Sequence, residues 1–150
     1  MNRRIGTDVP IRVALATTLA VSGYIHAYLY LNGYRFIHVI GVPFLVQTSV
    51  SFGLALLVLI GGPVYLRLGA AGAAAGALTG FALSRTVGIF GFTERGWQPS
   101  PQSLLSVVAE ASTLLLLLPT LLGAARSIVR RQFESARTNG DEQLQPTGTS

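Results

Sequence analysis

The sequence predicts an all-α, polytopic membrane protein built as a bundle of four transmembrane helices. Three observations carry this. Of the 150 residues 50% are hydrophobic and 11% are charged, where a soluble domain of ordinary composition carries about 25% charged residues. Four runs, 13–31, 42–61, 68–92 and 103–124, each reach the roughly 20 apolar residues that a spanning helix needs. The charges avoid those runs: of the 17 residues counted as Lys, Arg, Asp or Glu, only Arg85 and Glu110 fall inside them.

Several function classes are excluded at once. A net charge of +5 would suggest nucleic acid in a water-soluble chain, but these arginines flank apolar runs, so no nucleic-acid partner is predicted. With no cysteine, disulfides, thiolate metal sites, CxxC redox chemistry and covalent haem are ruled out. His26, Glu110 and His38 make an incomplete tetrahedral set with Arg85 opposing any cation, so no metal and no cofactor are predicted. A Ser–His–Asp triad is also excluded, because Asp8 and Asp141 sit at the terminal ends.

Taken in order, residues 1–12 form a short head. The run 13–31 follows Arg3 and Arg4 as a signal peptide would, but its length, its internal His26 and the lack of a small-residue cleavage site predict a retained span. The second run, 42–61, is stopped by Gly61-Gly62-Pro63, after which Tyr65 and Arg67 suit an interface. The third, 68–92, carries Gly72, Gly76, Gly80, Ser84 and Gly88 at a spacing of four, which predicts close helix packing and a central position. Packing within one chain is the simpler use of that stripe, with a homo-oligomer or a larger membrane complex as the other. The fourth run, 103–124, contains Pro119, which predicts a bend.

Beyond it, residues 125–150 begin with Arg126, Arg130 and Arg131 interleaved with Ile128, Val129 and Phe133, a basic amphipathic segment suited to anionic lipid. From about Glu134 the polar composition predicts a disordered tail. Arginine counting sets the orientation. Arg3, Arg4, Arg12, Arg67, Arg126, Arg130, Arg131 and Arg137 fall on one side of an even-numbered topology and only Arg35 and Arg95 on the other. Both termini are therefore expected in the cytoplasm of a multi-pass plasma (inner) membrane protein.

The polar residues inside the spans predict one layer. Counting from the span ends at about 1.5 Å per residue places Arg85 and Glu110 about 10 Å below the outer boundary. His26 and Gln47 come to a similar depth. Arg85 and Glu110 are expected to pair, because either charge alone in hydrocarbon costs several kcal/mol. Ser22, His26 and Tyr30 follow one line of span one, Gln47 and Ser51 one face of span two, and Ser106, Glu110 and Thr113 one face of span four, with Ser84 beside Arg85. The inner halves, 54–60 and 114–118, are hydrocarbon. An outward-facing polar pocket above an apolar plug is predicted, and the Arg–Glu pair serves equally as a structural staple.

The stretch Ser84-Arg85-Thr86-Val87-Gly88, followed by Gly91-Phe92, Glu94, Trp97 and Glu110 and preceded by His26 and Tyr30, resembles small four-span integral membrane proteins of high-GC bacteria. The resemblance covers most of residues 13–124 and implies the fold without an activity. The functional expectation is a non-enzymatic protein or accessory subunit with an intramembrane polar site. A small proton-coupled permease using His26, Arg85 and Glu110 is the first alternative, and a quinone-binding or redox membrane component the second.

Overall fold

The computed structural model describes residues 3–143, with side chains described for 9–132. The described chain is helical: α1 (Arg3–Leu31), a 3₁₀ turn (Tyr34–Phe36), α2 (His38–Leu59), α3 (Val64–Arg85) and α4 (Gln102–Gln143). Each of the four long helices contains a stretch long and apolar enough to cross a membrane, with mean hydropathy 1.2 in Val9–Leu31, 2.0 in His38–Leu59, 1.3 in Val64–Arg85 and 1.9 in Gln102–Gln132. Large aliphatic and aromatic side chains such as Val21, Val46, Phe52, Leu56 and Leu115 are exposed. In water that surface would be a severe liability, whereas in hydrocarbon it is neutral, because lipid tails are as apolar as leucine.

The chain forms two compact units, residues 1–117 and 118–150. In the first, α1 packs along α2 and α2 along α3, while α1 is tied to α4 by side-chain hydrogen bonds. The apolar core draws most on α1, and Leu15 and Leu19 of α1, Val58 of α2 and Leu117 of α4 are each 1% exposed. The second unit is the remainder of α4, which carries Pro119 near its start. The polar tail predicted from Glu134 is helical as far as Gln143, and its last residues lie outside those described.

Two expectations about the third span are corrected. The helix ends at Arg85 instead of continuing to Phe92. Gly88 stands at φ +81° with its amide bonded to the Leu83 carbonyl, and a side chain there would strike Thr93 and the Phe92 carbonyl. Gly88 is therefore a chain-reversal glycine and takes no part in helix packing. A tight reversal follows, in which Ile89 and Phe92 exchange both backbone hydrogen bonds across Phe90 and Gly91, at φ +48° and +83°. Positive φ at both central residues is the signature of a type I′ turn.

The second correction concerns which helix is central. A Cβ built on Gly72, Gly76 or Gly80 meets nothing within 4 Å, so these glycines admit no neighbouring backbone among the described residues. The central helix is α1: 44% of its apolar stretch is buried, against 17% for that of α3. Close approach happens instead at Gly23 of α1, whose added Cβ would lie 3.2 Å from Ser51 and Phe52 of α2. Gly41 likewise brings α2 against the Tyr34 carbonyl.

Candidate functional site

Arg85 is the last residue of α3 and organises the connection that follows it. Its Nε donates to the Gly96 carbonyl at 2.8 Å, Nη1 to Ser84 Oγ at 2.8 Å, and Nη2 to the Gln98 carbonyl at 2.6 Å and to Ser103 Oγ at 3.2 Å. Nη2 also pairs with Glu94 Oε2 at 3.1 Å, and the guanidinium stacks over Phe81 at 3.7 Å, with Trp97 against the same ring. Arginine presents its donors in a rigid fork, so one side chain can hold several points of a loop at once. Glu94 closes the arrangement: its Oε1 accepts from the Tyr34 hydroxyl and its backbone amide donates to the Ser84 carbonyl at 2.9 Å. Burial, reinforced by the Glu94 carboxylate, pushes the Tyr34 phenol well above the ordinary tyrosine range.

The expected Arg85–Glu110 pair is thus corrected to Arg85–Glu94. Depth counting assumed a helix through Phe92, which would have put Arg85 two turns inside the span. Because the helix stops at Arg85, the guanidinium sits at the helix end, where loop carbonyls and Glu94 reach it. Glu94 and Tyr34 are functional neighbours that sequence reasoning missed. The signal for Glu94 was an acid nine positions after Arg85, with no charge between them and Arg95 directly after it; Tyr34 carried none.

Glu110 belongs to a separate cluster between α1, α2 and α4. It is 1% exposed. Its Oε1 accepts from Ser22 Oγ and, at 3.5 Å, from Gln47 Nε2, which also donates to the Ala73 carbonyl of α3 at 3.4 Å. One turn further along each helix lie Thr18, Ser51 and Thr113, with the hydroxyls of Thr113 and Thr18 2.8 Å apart. Glu110 Oε2 and Ser51 Oγ are buried without a partner among the described residues. The residue of α1 that meets Glu110 is Ser22; His26 lies one turn away, its Nδ1 donating to the Ser22 carbonyl at 2.9 Å.

Between these two clusters lies a cavity of about 290 Å³. The first half of α2 and the second half of α3 line it, with residues of α1 and α4, and Ile89, Phe92 and Glu94 of the connection line it too. Its wall is mostly apolar, with Leu29, Ile40, Phe44 and Phe81 among the lining residues. Polar atoms come from His26, Gln47, Ser84, Arg85, Ser103 and Ser106. Gly76 and Gly80 line it too, and the space found at their missing side chains is consistent with that position. Of the predicted polar layer, His26, Gln47 and Arg85 reach the cavity wall. Glu110 touches it only through Gln47, Ser22, Ser51 and Thr113 are interior, and Tyr30 is not among the lining residues.

Fold and site together define the class: an α-helical protein whose described residues include four helices long and apolar enough to cross a membrane, and an apolar cavity carrying a few convergent polar groups, the usual form of a small-molecule site. No family model, curated protein or solved structure matches the chain, so the functional argument rests on its own residues.

Proposed function

We propose that this protein is a non-enzymatic, multi-pass four-helix bundle of the bacterial plasma membrane that binds a small, largely apolar molecule in the cavity between α2 and α3. The observation that carries the reading is the cavity itself, about 290 Å³ lined chiefly by hydrocarbon with its few polar groups gathered on Arg85, His26 and Gln47. Packed interiors seldom leave such a space, and one that is apolar with fixed polar points is suited to an amphiphile. Arginine distribution puts both termini in the cytoplasm and the Arg85 loop outside, so a ligand would enter from the outer leaflet. Arg126, Arg130 and Arg131 suit anionic lipid.

A proton-coupled permease is the less favoured reading, since the halves of the spans near Val58 and Leu117 are packed with hydrocarbon and offer no polar path. The test is to purify the protein in mild detergent and identify co-purifying small molecules by mass spectrometry. Gly80 lines the cavity with open space at its Cβ, so Gly80→Leu should obstruct the cavity and abolish co-purification. Equal recovery from that variant would refute the site.

A further inference from the structure

The polar atoms of the cavity are not equivalent, and their hydrogen-bond roles restrict what can occupy it. His26 Nδ1 lies 2.9 Å from the Ser22 backbone carbonyl. A carbonyl only accepts, so Nδ1 carries the proton, and in the neutral ring Nε2 presents a lone pair. His26 lines the cavity, and Nε2 has no partner among the described residues and is not sealed from it. The ring is held in place edge-on to Phe44, with centroids 5.2 Å apart. Gln47 repeats the pattern. Its amide nitrogen is directed at two acceptors, the Ala73 carbonyl and Glu110 Oε1, which leaves Oε1 without a donor on a residue that also lines the cavity.

The charged donor is already satisfied, and the Ser103 and Ser106 hydroxyls that also line the cavity can donate or accept. Arg85 spends its fork on the Gly96 and Gln98 carbonyls, Ser84 and Ser103, and its charge on Glu94. A guanidinium neutralised in this way offers little to an anion. The cavity therefore presents unpaired acceptors next to a paired cation.

Resting on the cavity reading above, we infer that the occupant is an uncharged apolar molecule with a hydroxyl head, such as a phenol or a quinol, whose O–H donates to His26 Nε2. A quinone or an ether of the same shape has only acceptors and would leave His26 Nε2 unpaired, whichever serine hydroxyl it met. An unsatisfied polar atom buried by the ligand is the larger part of that penalty.

The experiment compares 4-nonylphenol with its methyl ether, and duroquinol with duroquinone, by thermal shift and titration on the full chain in detergent. One hydrogen bond to a buried acceptor predicts about tenfold tighter binding of each hydroxyl form. His26→Phe should erase the preference while leaving the ether's affinity in place. If that variant does not fold, ¹⁵N-histidine labelling of the unaltered protein reads the same contact, because the chain has two histidines. The Nε2 resonance of His26 should shift with the phenol and not with the ether. Equal binding of the two members of each pair, with both blocked by Gly80→Leu, would overturn the hydroxyl assignment and leave the cavity site standing. Failure of all four probes to bind, or their equal binding to Gly80→Leu, would remove both.

Discussion

Glu94 and Glu110 are the two acidic residues among those whose side chains are described, 9–132, and their surroundings differ completely. Glu94 is part-exposed, with an arginine on one oxygen and a tyrosine hydroxyl on the other. Glu110 is 1% exposed, shares one oxygen between Ser22 and Gln47, and leaves the other without a partner among the described residues. One carboxylate therefore organises a loop, and the other sits in a three-helix polar core that is not charge-balanced by the neighbours described. Ion pairing thus belongs to the end of α3 and its loop, and not to Glu110 as the sequence predicts.

That comparison is easiest to break at Arg85. Arg85→Gln leaves Glu94 without its counter-charge and frees several loop carbonyls, so a destabilisation of about 3–5 kcal/mol is expected, the range for breaking a largely buried pair from one side. Thermal unfolding in detergent measures it, and proteolysis should cut within 86–101 first. In double-mutant cycles Arg85 and Glu94 should couple by at least about 1 kcal/mol, whereas Arg85 and Glu110 should be additive to within about 0.5 kcal/mol. A strong coupling to Glu110 would reverse the assignment.

The carboxylates themselves give the next largest difference. Glu94→Gln gives up charge-assisted bonds, expected to cost about 1.5–3 kcal/mol. Glu110→Gln keeps an acceptor for Ser22 and exchanges one unpartnered polar atom for another, so about 1 kcal/mol or less is expected on the same scale. Equal costs in parallel melts would erase the distinction.

A smaller, pH-dependent effect follows from Tyr34. Its folded-state pKa is raised by burial and by Glu94, so above the ordinary tyrosine value of about 10 the unfolded chain loses this proton before the folded one does. The stabilisation is complete below that pH and declines as pH rises beyond it. Tyr34→Phe should flatten the alkaline limb of a melting-temperature profile, and an unchanged limb would count against the Tyr34–Glu94 contact.

The smallest effect is at Gly72. With open space at its Cβ, Gly72→Ala should raise stability by about 0.5–1 kcal/mol through helix propensity alone. A loss would mean that the stripe is a packed seam between molecules.

The readable and unreadable parts of the sequence divide along particular residues. His26, Gln47 and Arg85 were recognisable as polar residues in apolar runs, and all three line the cavity. Glu94 was not, because a loop acid carries no periodicity, and its partner becomes evident only once α3 is seen to stop at Arg85. Gly88 read as one more member of a four-residue repeat, although its role is set by φ +81°. Gly72, Gly76 and Gly80 have the spacing of a packing seam, but spacing does not say on which side of a helix a neighbour stands.

What the amino-acid sequence determined alone is that four segments are long and apolar enough to cross a membrane, since transfer to hydrocarbon is close to a sum over consecutive residues. The tertiary structure decided which polar groups meet. Rotation of each helix about its axis and the path of the 86–101 connection depend on contacts far apart in the chain, and those contacts joined Arg85 to Glu94, left Glu110 with Ser22, and opened the cavity between them.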